Sequence, residues 1–226
     1  MDQDHGHRCT GVQVVKDALS SHAAWVGARY AHECAFVSRS AAALAIAVIL
    51  TAGRVYAQDA TRSTYTTIDL KACKVLKKGA DGAAWLCRGM ADYPVYVATG
   101  DERFFVSAGP APQKRRAAQQ TLKAFNSLFP AAATRATIEW RVQGKGKHAV
   151  PYATILRYYT ARDGAKGQVL VVSKVAADQS CQVAMIDAMA NADAIERARK
   201  IADETALQFD CSTDPKVDGA TGKSPM

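Results

Sequence analysis

The sequence predicts a single α+β domain over residues 69–211, with an antiparallel sheet of about six or seven strands and a C-terminal helix packed on one face. Two observations support this fold class. Short segments of alternating apolar side chains, separated by Gly-containing turns, extend from about residue 71 to residue 188. One amphipathic segment follows them at 191–208. Neither an internal repeat nor a linker divides the domain.

The first half of the domain predicts two hairpins. Segments 71–76 and 83–87 flank an Asp-Gly turn signal. Segments 94–99 and 103–107 flank a second short turn. The stretch that follows, 113–128, contains good helix formers and predicts a short helix or an ordered loop.

A strand with two distinct faces is predicted at 137–142, where apolar and polar residues alternate strictly. Ile138 and Trp140 belong to the apolar side. Glu139 and Arg141 belong to the other side, which we expect to face solvent.

The rest of the domain predicts three more strands and the helix. Segments 152–160 and 168–175 form a hairpin, and the second is apolar on both faces, which indicates a central strand. Segment 181–188 is the last strand. Asn191 is then a plausible N-cap for a helix that ends near Gln208. The apolar stripe of this helix consists of Ile195, Ala198, Ala202, Ala206 and Phe209.

An uncharged apolar run at 40–53 follows Arg39 and precedes small residues. This order predicts a signal peptide over 37–57. The apolar part is shorter than the roughly 20 residues that a spanning helix needs, so cleavage is favoured over a single-pass anchor at 41–57. We therefore expect a periplasmic or secreted protein with no stable membrane insertion after cleavage.

Three segments lie outside the predicted domain and its leader. Residues 1–36 have no place in an export signal and are interpreted as an untranslated or disordered extension. Residues 58–68 are rich in Thr and Ser and predict a flexible mature N-terminus. Residues 212–226 contain Pro and Gly and predict a disordered tail.

Four cysteines remain after the leader, and an even count in an exported domain predicts two disulfides. The first hairpin brings Cys73 and Cys87 together. The returning helix brings Cys211 toward Cys181. There is no Cys-x-x-Cys pair, and His148 is the one histidine after the leader, so neither a metal site nor a cofactor is predicted.

The charge of the chain favours anionic partners. The whole chain carries 29 Lys and Arg against 21 Asp and Glu, and five of the basic and four of the acidic residues precede residue 58, which leaves a net charge of +7. This surplus favours an anionic envelope component or an acidic protein, while an exported protein is not expected to bind nucleic acid. The candidate binding residues are Lys114, Arg115 and Arg116, beside a loop that contains Lys145, Lys147 and His148.

The sequence predicts no catalytic residue. It has no Gly-x-Ser-x-Gly or Ser-x-x-Lys motif, and His148 lies in a Gly/Lys loop. We therefore expect a non-catalytic binding module, with a structural envelope component as one alternative. A carboxylate-dependent glycan hydrolase is another, and it would use two of Asp92, Asp101, Glu102, Glu139 and Asp187. An aromatic ligand site is also open, from Trp85, Tyr93, Tyr96, Trp140, Tyr158 and Tyr159.

Five motifs follow one another along the domain: Asp69-Leu-x-x-Cys73, Trp85-Leu-Cys87, Tyr93-Pro-Val-Tyr-Val97, Arg103-Phe-Phe-Val-Ser107 and Thr154-Ile-Leu-Arg157. In these motifs the chain resembles a group of small exported bacterial proteins of unknown function. The resemblance covers most of residues 69–211. It implies an exported, disulfide-linked single domain, and it implies no activity, cofactor or catalytic residue.

Signal-peptide cleavage gives the first testable prediction. The processed protein is expected to begin at Gln58, because the small residues Val55 and Ala57 suit the peptidase pocket. Intact-mass measurement of protein recovered from the periplasm or medium checks this. Protein that stays in the membrane pellet with residues 41–57 still attached would contradict it.

Overall fold

The computed structural model of the chain describes residues 61–131 and 133–226, without the side chain of Lys147. The predicted extension at 1–36 and signal peptide at 37–57 lie outside the described residues. Eleven strands and one α-helix follow one another along the described part. They are β1 (Arg62–Asp69), β2 (Lys74–Gly79), β3 (Gly82–Met90), β4 (Tyr93–Gly100), β5 (Arg103–Ala108), β6 (Phe125–Ser127), β7 (Arg135–Gln143), β8 (Val150–Arg162), β9 (Ala165–Val175), β10 (Ser180–Asp187), α1 (Ala194–Glu204) and β11 (Lys216–Asp218).

The strands form two sheets where the sequence predicts one. The larger sheet has the order β1-β7-β8-β9-β10-β11, and β6 pairs with the end of β8. Its neighbours are antiparallel except for β10 and β11. The smaller sheet is the meander β2-β3-β4-β5, which consists of the two hairpins predicted in the first half of the domain. Of the predicted α+β fold, the antiparallel strands and the C-terminal helix are confirmed, while the single sheet is wrong and the described residues are mostly β.

The larger sheet begins with a strand that the sequence analysis assigns to a flexible segment. Residues 58–68 were predicted to be flexible, and this is wrong for the described part, because β1 pairs with β7 across eight residue pairs. Ile68 is fully buried, and the Oγ1 of Thr66 accepts a hydrogen bond of 2.8 Å from Nε1 of Trp140. Pairing with β7, far along the chain, therefore orders this segment, and its Thr, Tyr and Ile residues are types that are enriched in strands.

The main core lies between the two sheets. Val95 and Val97 of the smaller sheet share one buried cluster with Ile138, Trp140 and Tyr158 of the larger sheet. The predicted apolar side of 137–142 is confirmed by this packing. A close approach of backbone to this core occurs at Gly89, where a Cβ atom would lie 2.9 Å from the Trp140 ring.

The opposite face of the larger sheet carries a second buried cluster. Ala194, Ala198 and Ala202 recur at helical spacing on α1 and are buried with apolar residues of β8, β9 and β10. Glu139 and Arg141, which the sequence assigns to a solvated face, are 5% and 7% exposed and lie on this side. Within the described residues, no helix is long and apolar enough to cross a membrane.

Both predicted disulfides are confirmed. Cys73 is bonded to Cys87 and Cys181 to Cys211, with Cα atoms 4.4 and 5.7 Å apart. The first bridge joins the residue before β2 to β3. Two disulfides indicate an oxidising compartment outside the cytoplasm.

The stretch predicted as a short helix or an ordered loop, 113–128, is an ordered loop. It contains 3-10 turns at Pro112–Lys114 and Arg116–Gln119, followed by β6. Its side chains cover the outer edge of β5, because the Thr121 hydroxyl donates to the Phe104 carbonyl at 2.6 Å. The Phe104 amide in turn donates to Asn126 Oδ1 at 2.9 Å.

The C-terminal segment is ordered, so the predicted disordered tail at 212–226 is wrong. It adds β11 to the larger sheet and then folds back over Gly167. Asp187 fixes it, because one carboxylate oxygen accepts hydrogen bonds from the amides of Lys223 and Ser224 at 2.9 and 2.8 Å. Burial raises the pKa of Asp187, but the Ser224 hydroxyl and these amides outweigh it, and the pKa lies below its usual range.

The predicted N-cap is also corrected. The N-cap position is occupied by Asp193 and not by Asn191, and the helix itself begins at Ala194. The Asn191 side chain donates instead to the carbonyls of Asp187 and Ala220, both at 2.8 Å. A side chain that was expected to cap the helix therefore holds the C-terminal segment.

Replacing Gly167 tests the docking of this segment. Gly167→Ala places a Cβ atom 2.4 Å from Ser224 Cβ, so the segment is expected to move away and its amides at 223 and 224 to lose protection in hydrogen exchange. Gly79→Ala is the matched control, because nothing lies within 4 Å of its added Cβ. Unchanged protection in Gly167→Ala would contradict the docked arrangement.

Candidate functional site

The arginines of the predicted basic cluster differ from its lysines, because both arginines donate to backbone carbonyl groups of the domain. Arg115 donates from Nη2 to the Ala177 carbonyl at 2.9 Å and so fixes the β9–β10 connection. Arg116 donates from Nη1 to the Thr213 carbonyl at 2.7 Å and pairs with Asp214 at 2.8 Å. Both guanidinium groups therefore hold connections of the domain in place.

Lys114 and Lys145 form no salt bridge with a carboxylate of the described residues. Lys114 and Lys145 are exposed, and Lys147 lies with His148 in the 3-10 turn Gly146–His148. The β7–β8 and β9–β10 connections lie at the same end of the larger sheet, because these strands alternate in direction. The fold thus places Lys145 at the end of the sheet that Arg115 contacts.

The carboxylates proposed for glycan hydrolysis lie in different environments. Asp101 and Glu102 form the turn between β4 and β5, and Asp92 is exposed after β3. Glu139 accepts a hydrogen bond of 2.7 Å from Nε of Arg199. Asp187 holds the C-terminal segment. The fold gives each of the two buried carboxylates a structural partner.

The six aromatic candidates also lie in different parts of the fold. Trp140 and Tyr158 are 0% and 1% exposed and belong to the core between the sheets. Trp85, Tyr93 and Tyr96 are half-buried on the smaller sheet. Tyr159 alone among the six candidates lies on the outer face of the larger sheet, where alternation along β8 directs it away from Tyr158.

A groove of about 520 Å³ lies on this outer face, beside the half that α1 covers. Its wall contains three partly exposed apolar side chains. Phe125 and Met189 are 46% and 48% exposed, and half-buried Tyr159 lies with them in the lining. Lys166, Gln168 and Glu102 supply polar groups to the same wall.

A second hollow of about 230 Å³ lies on the other side of Tyr159. Arg135, Arg157 and Thr137 line it, and Tyr159 lines both hollows. The two hollows are therefore neighbours, and we call them together the open face. It comprises outward side chains of β6, β7, β8 and β9, with Met189 and Glu102 from neighbouring connections.

Positive charge predominates around the open face. Arg157 donates to Gln168 Oε1 at 2.8 Å, and the Arg103 guanidinium lies 5.5 Å from the centre of the Phe125 ring. Lys166 is exposed, and no carboxylate lies within 4.0 Å of its ammonium group among the described residues. Arg135 pairs with Asp69 at 2.9 Å. The open face thus combines exposed apolar surface with cations that retain capacity for an anion.

The half of the outer face under α1 holds a closed network of charges. Arg141 binds the carboxylate of Asp203 on α1 through two hydrogen bonds of 2.8 and 2.7 Å. The Tyr152 hydroxyl donates to the same carboxylate at 2.6 Å. On the other side, Arg199 of α1 pairs with Glu139, which also accepts from the Ser63 hydroxyl. Together with the hydrogen bond from Arg199 to the Tyr65 hydroxyl at 3.0 Å, these contacts attach α1 to β1, β7 and β8.

Two pKa shifts follow from this arrangement. Burial, together with the hydrogen bond to Asp203, raises the pKa of Tyr152 to about 12. Burial also raises the pKa of Asp203, but the hydrogen bonds from Arg141 and Tyr152 outweigh it and hold that pKa below its usual range. The network thus contains a neutral phenol and an ionised carboxylate at neutral pH, each engaged with a protein partner.

Comparison of the chain with protein families, curated proteins and solved structures finds no match in any of the three. The candidate site is therefore defined by its geometry. Within the described residues, no group of three or more His, Cys, Asp or Glu side chains is arranged to hold a metal ion.

The charge network predicts an acid-sensitive contribution to stability. A carboxyl group whose pKa is lowered by folding stabilises the fold above its unfolded pKa of about 3.9, and the contribution disappears as pH falls through the folded pKa. Asp203→Asn is expected to lower the free energy of unfolding by about 3 kcal/mol at pH 7, because it removes the carboxylate that binds the buried Arg141 through two hydrogen bonds and leaves Glu139, at 4.0 Å, as its nearest described anion. The difference from the wild type should narrow below about pH 4.

Urea unfolding between pH 3 and pH 7 measures this difference. Asp92→Asn is the control, since Asp92 is exposed. A difference for Asp203→Asn that stays constant from pH 7 to pH 3 would contradict the role assigned to its carboxylate.

Proposed function

We propose that this protein is exported to the periplasm or medium and acts there as a non-catalytic binding protein for an anionic amphiphile of the cell envelope. The open face of the larger sheet takes this ligand. The two disulfides support export to an oxidising compartment, and the net charge of +7 after residue 57 supports an anionic partner.

One observation carries the proposal. Exposed apolar side chains and cations lie together in two neighbouring hollows, whose described lining contains one carboxylate, that of Glu102, while the buried carboxylates of the described residues are engaged elsewhere. Phe125, Tyr159 and Met189 offer a surface for an acyl chain, and Lys166 and Arg157 lie beside it for the head group. A groove of about 520 Å³ suits a small amphiphile, since ligand pockets fall in the range of about 300–1,000 Å³.

The two kinds of surface contribute in different ways. Covering about 100 Å² of apolar surface stabilises a complex by about 2.5 kcal/mol, before the cost of immobilising the ligand. The cations add selectivity for an anionic head group, and their contribution falls as salt screens it over about 8 Å at physiological ionic strength. A ligand with both parts is therefore favoured over a simple anion or a simple hydrocarbon.

Calorimetric titration of the processed protein with short-chain phosphatidylglycerol tests this function. Phosphatidylglycerol below its micellar concentration is expected to bind more tightly than phosphatidylcholine with the same chains. The variant Phe125→Ser/Lys166→Glu removes one apolar wall and reverses one charge, and it is expected to weaken binding at least about tenfold, which corresponds to 1.4 kcal/mol.

The matched control is Leu207→Ser/Lys145→Glu, which makes the same two kinds of change at exposed positions away from the groove. It is expected to bind like the wild type. Equal affinity for the anionic and the zwitterionic lipid, or equal weakening in both double variants, would overturn the proposal.

A further inference from the structure

The outer edge of β2 is an open strand edge. The order β2-β3-β4-β5 places β2 at one side of the smaller sheet, and among the described residues no strand pairs with its outer side. All six residues of β2 are exposed. The other side of this sheet is different, because Thr121 and Asn126 occupy hydrogen-bonding groups of β5.

The open edge carries a concentration of positive charge. β2 contains Lys74, Lys77 and Lys78 and no acidic residue, and exposed Lys71 lies three residues before its start. No salt bridge joins any of these four lysines to a carboxylate within the described part of the chain. Among the described residues, no carboxylate thus neutralises these four charges.

Lysines on an edge strand commonly protect it from pairing with other chains. Such protection does not require exposed apolar side chains, yet Val75 and Leu76 are 54% and 43% exposed. The pairing with β3 places Lys74 and Lys77 on one face of the strand, opposite Leu86 and Ala84, with a register shift near Leu76.

The other face of β2 combines an apolar and a basic side chain. Val75 lies opposite Trp85, and Lys78 lies opposite Ala83. Each face of β2 thus carries a lysine, and each face also has an apolar side chain on β2 or on the paired strand β3.

We propose that the outer edge of β2 binds an extended acidic segment of a protein partner by strand addition. The unpaired backbone of the edge supplies main-chain hydrogen bonds, and the lysines select acidic side chains on the added strand. Apolar residues between the acidic ones would cover Val75 and Leu76. This surface belongs to the smaller sheet and does not depend on the ligand proposed for the open face.

The probe is a soluble peptide of about seven residues that alternates Glu and Val, added to the processed protein. Residues 58–226 contain Trp85 and Trp140, and Trp140 is fully buried, so a change in tryptophan emission reports on Trp85 beside Val75. Lys74→Glu/Lys77→Glu is expected to weaken binding at least about tenfold. Lys114→Glu/Lys145→Glu makes the same change of charge on other exposed loops and is expected to leave binding within about twofold.

Two further measurements separate strand addition from simple attraction. The same peptide, N-methylated at alternate residues, keeps its charge but loses backbone donors, and it is expected to bind at least about tenfold more weakly. Val75→Thr/Leu76→Thr keeps the charge of the edge and is also expected to weaken binding, so the result does not depend on the folding of one variant.

Three results would overturn the proposal. The first is equal affinity for the methylated and unmethylated peptides. The second is binding to phosphatidylglycerol vesicles, but not to the peptide, that is lost in Lys74→Glu/Lys77→Glu. The third is a dimer of the processed protein that this variant dissociates in analytical ultracentrifugation, because a second copy of the chain would then occupy the edge.

Discussion

The limited reach of α1 across the outer face of the larger sheet determines how the rest of the molecule is arranged. The larger sheet is six strands across, about 24 Å at a spacing of about 4.8 Å, whereas a helix of 11 residues is about 16 Å long. The inner face is covered by the smaller sheet. Within the described part of the chain, α1 covers part of the outer face, and the hollows lined by Phe125, Tyr159 and Arg157 lie on the rest of it.

The same constraint accounts for the charges beneath the helix. Glu139 and Arg141 alternate with apolar residues that are needed in the core, so they project from β7 toward α1. Burying such charges is unfavourable unless each one has a partner, and Arg199 and Asp203 provide those partners from successive turns of the helix. The pairs fix where the helix lies along the strands, since a shift by one turn would leave buried charges unpaired.

The features that the sequence predicted are local ones. Turn signals at short spacing are sufficient for the hairpins of the smaller sheet, and those hairpins and the returning helix are sufficient for both disulfides. The sequence did not predict the strands β1 and β11, because each is stabilised by a partner strand far along the chain. In β1 only Ile68 is buried, so no apolar periodicity indicates a strand.

The candidate site was harder to predict than the fold for a related reason. Lys114, Arg115 and Arg116 are consecutive in the sequence, and their spacing alone suggests one basic patch. Whether a guanidinium group is free depends on which carbonyl groups the fold brings near it, and Arg115 and Arg116 both find such carbonyls more than 60 residues away. Tyr159 was one of six aromatic candidates, and its selection required knowing which face of β8 the helix leaves open.

The exposed strand β2 raises the question of what keeps it ordered. None of its six residues is buried, so the strand gains little from the hydrophobic effect while still losing the conformational entropy of about 1–2 kcal/mol per residue. The Cys73–Cys87 bridge acts at the residue immediately before β2 and closes a loop that contains the whole strand. Closing a loop of about 15 residues stabilises the folded state by about 3 kcal/mol through the unfolded chain. The disulfide thus offsets part of the entropy that β2 loses, and pairing with β3 contributes the rest of the order while the outer edge stays accessible.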